Sequence, residues 1–458
     1  MPKMARSLER YPARVTTLAF LALVLVGGCA LRLPICSVSG RLPISWLDAL
    51  FTSTSAVCVT GLSVRSTVDD FSLIGQIVIL SLIQLGGVGI MTFTSFIMLT
   101  LGGSVGLRQQ ALMSETLGSR GVTDVRKILR RVFAVSLSIE FLGAALLWIR
   151  FSFDMPWPRA GWYALFHSVS AFCNAGFGLW NDSLVGYRGD WLVNIVICGL
   201  VILGGLGFPV LLELLNQFRK SKRSAWLDLS LHSKLVLIGT FFLIVWGYTT
   251  LTILEWDNGL KNATASERIL IPFFHSVICR TAGFNSIDLN DLTNASLFVS
   301  IILMAVGGAP CSTAGGVKTT TISLLVLNAI RRFQGFRTVS CFRKTIPQST
   351  IERAAAATIV FFAIAALGCL FLMLIEQSGK SHRDQQDSFL DLLFEVVSAL
   401  GTVGLSTGIT PTLSSFGKIV IIVLMFLGRL GPVSVMIAMS RTRRPPKVEY
   451  AHEEPLFG

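Results

Sequence analysis

The segment Ser55–Gly61, with the sequence SAVCVTG, has three counterparts further along the chain. They read SAFCNAG, SVICRTAG and SALGTVG and end at Gly176, Gly283 and Gly404, so that successive final glycines are 115, 107 and 121 residues apart. Each loop follows a short apolar segment and precedes a long apolar one. A period of this length, repeated four times, predicts a fold with four-fold pseudosymmetry around one axis.

The composition predicts an all-α integral membrane protein. Of the 458 residues, 52% are hydrophobic and 14% are charged, and the mean hydropathy is +0.67. Runs of about 18 or more apolar residues mark membrane-spanning helices. Such a run lies on each side of every loop, which gives eight spans. The predicted spans are 15–31, 73–101, 132–150, 190–215, 234–254, 296–330, 354–375 and 416–439.

The basic residues predict the orientation of these spans. If the spans alternate, 25 of the 39 Lys and Arg residues lie on one side, which the positive-inside rule places in the cytoplasm. Both termini would then be cytoplasmic, in the plasma (inner) membrane, and the four glycine loops would open outward. This topology, rather than nucleic-acid binding, explains the net charge of +13. The first 31 residues resemble a lipoprotein signal, but we expect them to remain, because the first loop would otherwise lack its leading span.

The segments that precede the loops are too short to cross a bilayer. They contain about 10–14 residues, against the ~20 that a spanning helix needs. We therefore expect re-entrant half-helices whose C-terminal ends point at the middle of the membrane. Three units align without gaps from Phe51, Phe166 and Phe394 to the final glycine, whereas the unit that starts at Phe274 is one residue shorter.

Irregular backbone at this depth is tolerated only where it is buried in protein or lines a water-filled cavity. Four such loops would surround a cation with main-chain carbonyls, helped by the negative ends of the half-helix dipoles. Neutral carbonyl oxygens suit dehydrated potassium, and glycine permits the backbone angles that turn them inward. Simple tight turns are the alternative, but they leave the four half-length segments unexplained. The predicted selectivity filter, which binds K+ through backbone carbonyls, is Cys58, Val59, Thr60, Gly61, Cys173, Asn174, Ala175, Gly176, Arg280, Thr281, Ala282, Gly283, Gly401, Thr402, Val403 and Gly404.

Three stretches resemble the Trk/Ktr/HKT superfamily of potassium transporters: SAVCVTGL at 55–62, CRTAGFNS at 279–286 and GGAPCSTAGGVKTT at 307–320. The resemblance covers nearly the whole chain. The chain is more similar to a KtrB-type membrane subunit than to a longer TrkH-type one, because no extra spans precede the first repeat. The resemblance implies a potassium-conducting homodimer in membrane lipid, often sodium-dependent, that sits on a cytosolic ring of RCK-type (KtrA-like) regulatory subunits. Nucleotide would bind to that ring, and this chain would hold no covalent cofactor. The glycine at position 61 implies potassium, since a serine there accompanies sodium transport in the family. The alternative is a sodium-selective or Na+/K+ cotransporting relative.

The segment 296–330 differs from the other long apolar stretches. Its 35 residues exceed the length of one span, and glycines and a proline interrupt its polar middle. The resemblance implies an intramembrane loop that blocks the pore below the filter and swings aside. A phosphate-binding loop is excluded by Val317, which separates the glycine from the lysine, while a passive helix kink stays an alternative. The predicted gate residues are Gly307, Gly308, Ala309, Pro310, Cys311, Ser312, Thr313, Ala314, Gly315, Gly316, Lys318 and Arg429.

The first, second and fourth repeats share a G-x-x-G frame that starts at Gly86, Gly204 and Gly428. A second glycine follows the first directly in two of them, and Arg429 takes its place in the fourth repeat. A lone arginine at mid-span faces the bundle interior or a cavity. We expect it to repel cations below the filter and to anchor the gate loop through loop carbonyls; the alternative is a structural pair with Glu140 or Glu213. Arg280 is expected to point behind the filter, toward Glu395 or Asp288.

Two histidines of the half-helices, His167 and His275, are expected to pack or form hydrogen bonds behind the filter rather than carry protons. No Ser/His/Asp set, metal cluster or complete phosphate loop appears in the sequence, so we expect no enzymatic activity. The repeats are predicted at 1–103, 104–218, 219–335 and 336–458, with pore loops at 45–64, 160–180, 268–286 and 387–407, a gate loop at 305–321 and a basic cytoplasmic tail.

Overall fold

The structure is a computed structural model that describes residues 12–38, 44–87, 89, 125–218, 225–336, 338–377, 379 and 388–431. In these ranges the regular secondary structure is almost wholly helical. The helices are α1 Pro12–Leu31, α2 Trp46–Val57, α3 Leu73–Gly87, α4 Val125–Phe151, α5 Trp157–Phe172, α6 Trp191–Gly205, α7 Phe208–Phe218, α8 Ala225–Asp228, α9 Leu231–Glu255, α10 Ala265–Ile278, α11 Asn294–Ala305, α12 Thr319–Phe333, α13 Gln348–Glu376, α14 Ser388–Gly401 and α15 Ser415–Leu430. A short antiparallel hairpin, β1 Ser340–Cys341 and β2 Lys344–Thr345, joins α12 to α13.

Four copies of one unit make up this order of elements. Each copy has a long leading helix (α1, α4, α9, α13), then a half-helix (α2, α5, α10, α14), then a following helix or helix pair (α3, α6–α7, α11–α12, α15). The half-helices contain 12, 16, 14 and 14 residues. At ~1.5 Å per residue they reach well short of the ~30 Å hydrocarbon core. The all-α membrane fold predicted from the sequence is thereby confirmed, whereas the exact repeat boundaries stay predictions.

Two of the half-helices, α2 and α10, begin at side-chain caps, at the end opposite to their loops. The Ser45 hydroxyl accepts a hydrogen bond from the Asp48 backbone N–H at 3.1 Å at the start of α2. Thr264 and Glu267 form a reciprocal capping box at the start of α10. Such caps satisfy backbone donors that lack partners in the first helical turn. These two half-helices therefore start at defined residues, which fixes the depth at which their loops begin.

A serine in three of the half-helices ties each one to its leading helix. Their hydroxyls donate to main-chain carbonyls of the leading helices at 2.6–2.8 Å. The pairs are Ser53 with Val24, Ser168 with Glu140 and Ser276 with Ile244. The leading helix carries a glycine three residues after each of these carbonyls, and a Cβ there would crowd the serine. Those glycines are Gly27, Gly143 and Gly247. Small residues let helix backbones approach closely in a membrane, which is how this seam forms.

The following helices pack against the half-helix ends through glycine. A Cβ added to Gly86, Gly204 or Gly428 would overlap the carbonyl oxygen at or next to the end of the half-helix of the same repeat. These glycines belong to the G-x-x-G frame seen in the sequence. The frame thus reflects close packing behind the loops. In the third repeat Gly307 lies in the loop between α11 and α12 instead, against Gly315.

The long helices and the broken ones behave differently. Among the described residues, three helices are long and apolar enough to cross a membrane: Arg130–Phe151, Leu231–Glu255 and Gln348–Glu376. The pair Trp191–Gly205 and Phe208–Gln217 together forms a fourth such segment, bent by 105°. The break that the sequence predicts in 296–330 is present, since residues 306–318 separate α11 from α12, but the sequence analysis did not predict a second break. The second repeat is also broken, because Gly207 turns the chain in the left-handed region and Pro209 removes a helical donor. Residues 90–101 and 432–439, the ends of two other predicted spans, lie outside the described residues.

Candidate functional site

The four glycine loops meet at one centre. Each final glycine faces the carbonyl oxygen that precedes the final glycine of another repeat, and the contacts close into a ring. The facing pairs are Gly61 with Ala175, Gly176 with Ala282, Gly283 with Val403 and Gly404 with Thr60. A Cβ added to the first three glycines would lie 2.6–2.9 Å from the facing oxygen, and one at Gly404 would overlap it. The ring therefore brings four neutral main-chain oxygens together and leaves no room for a side chain at the glycine positions.

Left-handed backbone recurs at two positions of every loop. The final glycines have φ of +100°, +69°, +76° and +92° in chain order. The residues two positions earlier have φ of +55°, +59°, +74° and +50°, and they are Val59, Asn174, Thr281 and Thr402. This region is unfavourable for residues with a Cβ, and most of all for β-branched ones. Its repetition at the same place in all four loops shows that the surrounding packing imposes one backbone shape.

The third loop differs from the others by one residue, and the structure locates the difference. In repeats 1, 2 and 4 the residue before the final glycine donates its backbone N–H to the carbonyl five residues earlier, at 2.8 Å. In the third repeat Ala282 donates to Ile278, only four residues earlier, at 3.0 Å. The missing residue therefore lies between these two. Gly283 keeps its place in the ring because the third loop closes with a tighter turn.

Serine hydroxyls support three of the loops from behind. The Ser55 hydroxyl accepts from the Gly61 N–H at 3.0 Å, and Ser398 does the same for Gly404 at 3.1 Å. In the second loop Ser170 donates to the Phe177 carbonyl at 2.7 Å instead. Sequence reasoning did not assign a role to these serines. The recurring Ser-x5-Gly spacing in three loops was the signal that could have found them.

Arg280 lies in the third loop, but its side chain runs toward the gate loop. Its guanidinium donates to the Gly307 carbonyl at 3.2 Å, to the Thr319 hydroxyl at 2.9 Å and to the Thr240 carbonyl at 3.5 Å. The expected pairing with Glu395 or Asp288 was wrong. Glu395 is engaged by the Thr410 hydroxyl, and the carbonyls freed by the break after α11 provide the nearer acceptors for Arg280.

The two histidines form hydrogen bonds behind the ring, as expected. His167 Nδ1 lies 2.7 Å from the Tyr163 carbonyl, and the Leu179 backbone N–H donates to its Nε2 at 3.3 Å. These partners require a neutral ring with its proton on Nδ1. His275 Nε2 lies 2.9 Å from the Ser300 hydroxyl on α11. Both side chains are buried and serve the packing of the half-helices.

The segment between α11 and α12 is a compact loop beneath the ring. Gly307 donates to the Val317 carbonyl at 2.9 Å, and Val317 donates to Ala305 at 3.1 Å, so the loop begins and ends at the same point. Its upper side contacts two other repeats. The Thr313 hydroxyl donates to the Phe172 carbonyl at 3.2 Å, and a Cβ at Gly315 would lie 2.8 Å from the Gly401 carbonyl. The predicted gate residues thus lie together directly below the predicted filter residues.

Two cationic side chains hold this loop through its carbonyls. Lys318 Nζ donates to Ala314 at 2.7 Å and to Gly315 at 3.5 Å. Arg429 donates to the Thr313 carbonyl and to Gly86, and lies 3.5 Å from the Gly87 carbonyl. Arg429 therefore links the loop of repeat 3 to the first and fourth repeats, in the anchoring geometry expected from the sequence.

The alternative in which Arg429 pairs with Glu140 or Glu213 was wrong. Glu140 accepts from the Gln84 amide at 3.1 and 3.2 Å. Glu213 accepts from the backbone N–H and the hydroxyl of Ser230 at 2.7 and 2.8 Å. Each of these two carboxylates therefore accepts hydrogen bonds from neutral donors and not from Arg429. Arg429 instead bonds to main-chain oxygens of the gate loop and of the C-terminal end of α3.

A ring of main-chain oxygens above a broken-helix loop defines a class of membrane transport protein rather than an enzyme. The chain matches the TrkH family, described as cation transport proteins, over residues 8–448. The chain belongs to this family. The prediction that it is not an enzyme is confirmed, because the family and the relatives described below are transporters.

Several curated relatives and one solved structure are similar along most of their length. The Ktr system potassium uptake protein B of Bacillus subtilis is 38% identical over 94% of this chain and 94% of its own. The protein of the same name from Vibrio alginolyticus is 36% identical over 97% and 94%. The potassium/sodium uptake protein NtpJ of Enterococcus hirae is 35% identical over 98% and 97%. The potassium transporter TrkH of Vibrio parahaemolyticus, at 21% identity, has the same fold, with a TM-score of 0.72 over 92% of this chain and 84% of that one.

Proposed function

We propose that this chain is the ion-translocating membrane subunit of a potassium uptake system. The observation that carries the proposal is the closed ring in which carbonyl oxygens of all four repeats face the glycines of their neighbours. Curated relatives that cover 94% or more of the chain are named as potassium uptake proteins, which supports the same substrate. The ion is cargo, and the chain supplies only its path.

Permeation follows from the chemistry of the ring. A dehydrated monovalent cation needs several oxygen ligands to replace its water, and carbonyl dipoles provide them without a full negative charge. The half-helices end at the ring, so the negative ends of their dipoles add to the attraction. Because the oxygens belong to the main chain, backbone shape sets their spacing. The left-handed residues and the serine hydroxyls behind them hold that shape.

The loop from 306 to 318 acts as the gate in this proposal. It lies under the ring, where Arg280 and Arg429 hold it through main-chain oxygens, while Lys318 braces it from within. The same cationic groups oppose the passage of K+ while the loop is in place. Opening requires the loop to leave these contacts, which makes Arg429 both an anchor and an electrostatic barrier.

We further propose that the subunit forms a homodimer in the plasma membrane, with both termini cytoplasmic, and is regulated by a cytosolic RCK-type ring that binds nucleotide. The basic loops at 104–131, 216–234 and 331–353 are the candidate docking surfaces. Much of this sequence and both termini lie outside the described residues, so the proposal rests on charge and family resemblance.

Sodium enters as the second candidate. The relative NtpJ is named as a potassium/sodium uptake protein, which favours either sodium as an activator or a Na+/K+ cotransporting variant of the same pathway. A glycine at position 61 supports potassium, because the ring there is formed by carbonyls alone.

The test is uptake of Rb+ and Na+ into transport-deficient cells by the wild type and by Gly61→Ser. The serine Cβ would lie 2.6 Å from the Ala175 carbonyl, so the ring must deform and its preference for Rb+ over Na+ should fall. Gly199→Ala is the matched control, because a Cβ there has open space. Unchanged selectivity in Gly61→Ser would remove the ring from the permeation path, and sodium uptake by the wild type would favour the second candidate.

A further inference from the structure

The gate loop docks onto a gap in the helix of another repeat. Three main-chain hydrogen bonds join the loop of repeat 3 to the break between α6 and α7 in repeat 2. They run from Ala309 N–H to Gly205 at 2.9 Å, from Thr313 N–H to Gly204 at 3.3 Å and from Phe208 N–H to Cys311 at 3.2 Å. In addition, a Cβ at Gly207 would lie 2.6 Å from the Pro310 carbonyl. We call residues 204–208 the seat of the loop.

The sequence of the seat explains why it accepts the loop. In a continuous helix the Phe208 N–H would bond to the Gly204 carbonyl, four residues earlier. Here the loop is inserted into that bond, so that Cys311 accepts from Phe208 while Thr313 donates to Gly204. The Gly205 carbonyl has no helical donor either, because its donor would be the N–H that Pro209 lacks. The loop thus satisfies main-chain groups that the break in the helix leaves exposed.

Unpaired main-chain groups are costly inside a membrane, where water is excluded. If the loop leaves while the seat keeps its shape, the groups at 204, 205 and 208 lose their partners. If the bend between α6 and α7 changes, the spacing of these groups no longer matches the loop. The stability of the closed position therefore depends on the angle of the bend, which is 105° here.

The helix α7 connects this seat to the N-terminal end of α9, the leading helix of the third repeat. Glu213 on α7 accepts from the backbone N–H and the hydroxyl of Ser230, which caps α9. The basic stretch that begins at residue 219 follows directly after α7. A displacement at that end of α7 is therefore carried to the seat through a short, hydrogen-bonded helix.

We propose that the seat at 204–208 holds the gate loop closed and that movement of α7 releases it. The proposal rests on the proposed function, since it assigns to repeat 2 the positioning of a gate in repeat 3. Gly207 and Phe208 are positioning residues: they act on the loop and are placed outside the ring that the ion crosses.

The first test compares Gly207→Ala, in the break, with Gly199→Ala, in α6 and outside the seat. Gly207 has φ of +84° and faces the Pro310 carbonyl, whereas a Cβ at Gly199 has open space. We expect Gly207→Ala to weaken the closed position by about tenfold and Gly199→Ala to match the wild type. The readouts are Rb+ flux in proteoliposomes without any cytosolic partner and the rate at which Cys311 in the loop reacts with a thiol reagent, with Cys311→Ser as the blank. Both rates should rise together in Gly207→Ala.

The second test removes one hydrogen bond without adding bulk. Phe208 is the first residue of α7, a position where proline fits a helix. Phe208→Pro removes both the phenyl group and the backbone N–H that donates to Cys311. Phe208→Ala removes the phenyl group but keeps this N–H. We expect flux and Cys311 labelling in Phe208→Pro to exceed those of Phe208→Ala by about fivefold, the effect of one main-chain hydrogen bond. This pair decides the question if Gly207→Ala does not fold.

The outcomes separate the two proposals. A wild-type protein that carries no Rb+ contradicts the proposed function, yet the labelling rates still report on the seat. A wild type that transports, together with equal flux and equal labelling within both pairs of variants, overturns the seat. Faster labelling without a change in flux would also overturn it, because the loop would then move without gating.

Discussion

The ring of glycine loops and the layer beneath it are built from the same four repeats in opposite ways. In the ring, every repeat contributes the same atoms: a left-handed residue, a carbonyl and a final glycine. In the layer beneath, repeat 1 contributes the Gly86 carbonyl, repeat 2 a gap, repeat 3 the loop that fills it and repeat 4 the side chain of Arg429. A coordination site for one ion gains from equivalent ligands. A gate gains from unlike parts, because a single loop can then move while the parts that hold it belong to other repeats.

The contrast also bears on how each layer tolerates change. A substitution in the ring acts on a neighbour's main chain, so its effect spreads around a closed circle of contacts. A substitution beneath the ring acts on one loop and changes the balance between its seated and released positions. We therefore expect loss of transport from the first kind and excess transport from the second.

The largest effect should come from Gly404→Ala, because its Cβ would overlap the Thr60 carbonyl. Gly408→Ala is the matched control: its φ of +91° is close to the +92° of Gly404, but its nearest neighbour is 3.9 Å away. Rb+ uptake per unit of membrane protein should fall on the order of a hundredfold in Gly404→Ala, and by no more than about tenfold in Gly408→Ala, which suffers only backbone strain. Equal losses would mean that strain alone, and not crowding of the ring, matters.

The second largest effect should come from substitution of Arg429, which should raise Rb+ flux rather than lower it. Arg429→Ala removes the donors to Thr313 and Gly86 together with a positive charge, so basal Rb+ flux should rise by about tenfold. Arg429→Lys keeps the charge but offers no planar fork to join the two carbonyls. If Arg429→Lys restores the wild-type flux, charge rather than anchoring closes the path. Fluxes that stay at the wild-type level in both variants contradict any role of this residue in gating.

A smaller effect is expected behind the ring. Ser398→Ala deletes the acceptor for the Gly404 N–H, and the loop should lose about 1 kcal/mol of support. The preference for Rb+ over Na+ should drop by about fivefold while the amount of folded protein stays constant. Ser398→Thr, which keeps the hydroxyl, should retain the preference. A selective Ser398→Ala protein would show that the remaining backbone contacts suffice to hold the ring.

The smallest effect concerns the seam between half-helices and leading helices. Ser276→Ala removes the hydrogen bond to the Ile244 carbonyl and should lower the free energy of unfolding by about 0.6 kcal/mol, a typical value within membranes. Ser138→Ala is the control, because the Ser138 hydroxyl bonds only within its own helix, to Ala134. Thermal unfolding in detergent should distinguish the two proteins. Identical melting curves would argue that the glycine at 247, rather than the serine, makes the seam.

Much of the architecture could be predicted because it repeats. The four glycines, the half-length segments before them and the apolar stretches on both sides are patterns of spacing, and spacing survives without any knowledge of contacts. The same reasoning placed the broken segment at 305–321, since glycines and a proline there conflict with a helix; in the structure the helices are interrupted at 306–318. Even the missing residue of the third repeat was visible as a one-residue offset from Phe274.

What escaped prediction depends on which groups meet in space. Asn174 is of a residue type that tolerates a left-handed backbone, but Val59, Thr281 and Thr402 are β-branched and do not indicate one, because packing imposes it against their preference. The partners of Arg280 were misjudged since carboxylates were sought, whereas broken helices offer carbonyls instead. The bend at Gly207 was overlooked because α6 and α7 read as one apolar run. The available sign was the pair Gly207 and Pro209, which only Phe208 separates.

The claim that main-chain oxygens of all four repeats surround the ion can be tested by anomalous scattering from crystals of the full-length protein grown in Rb+. The account predicts an anomalous peak on the central axis, within coordination distance of carbonyls from the loops that end at Gly61, Gly176, Gly283 and Gly404. Peaks confined to the protein surface, or bound by carboxylates away from that axis, would contradict it.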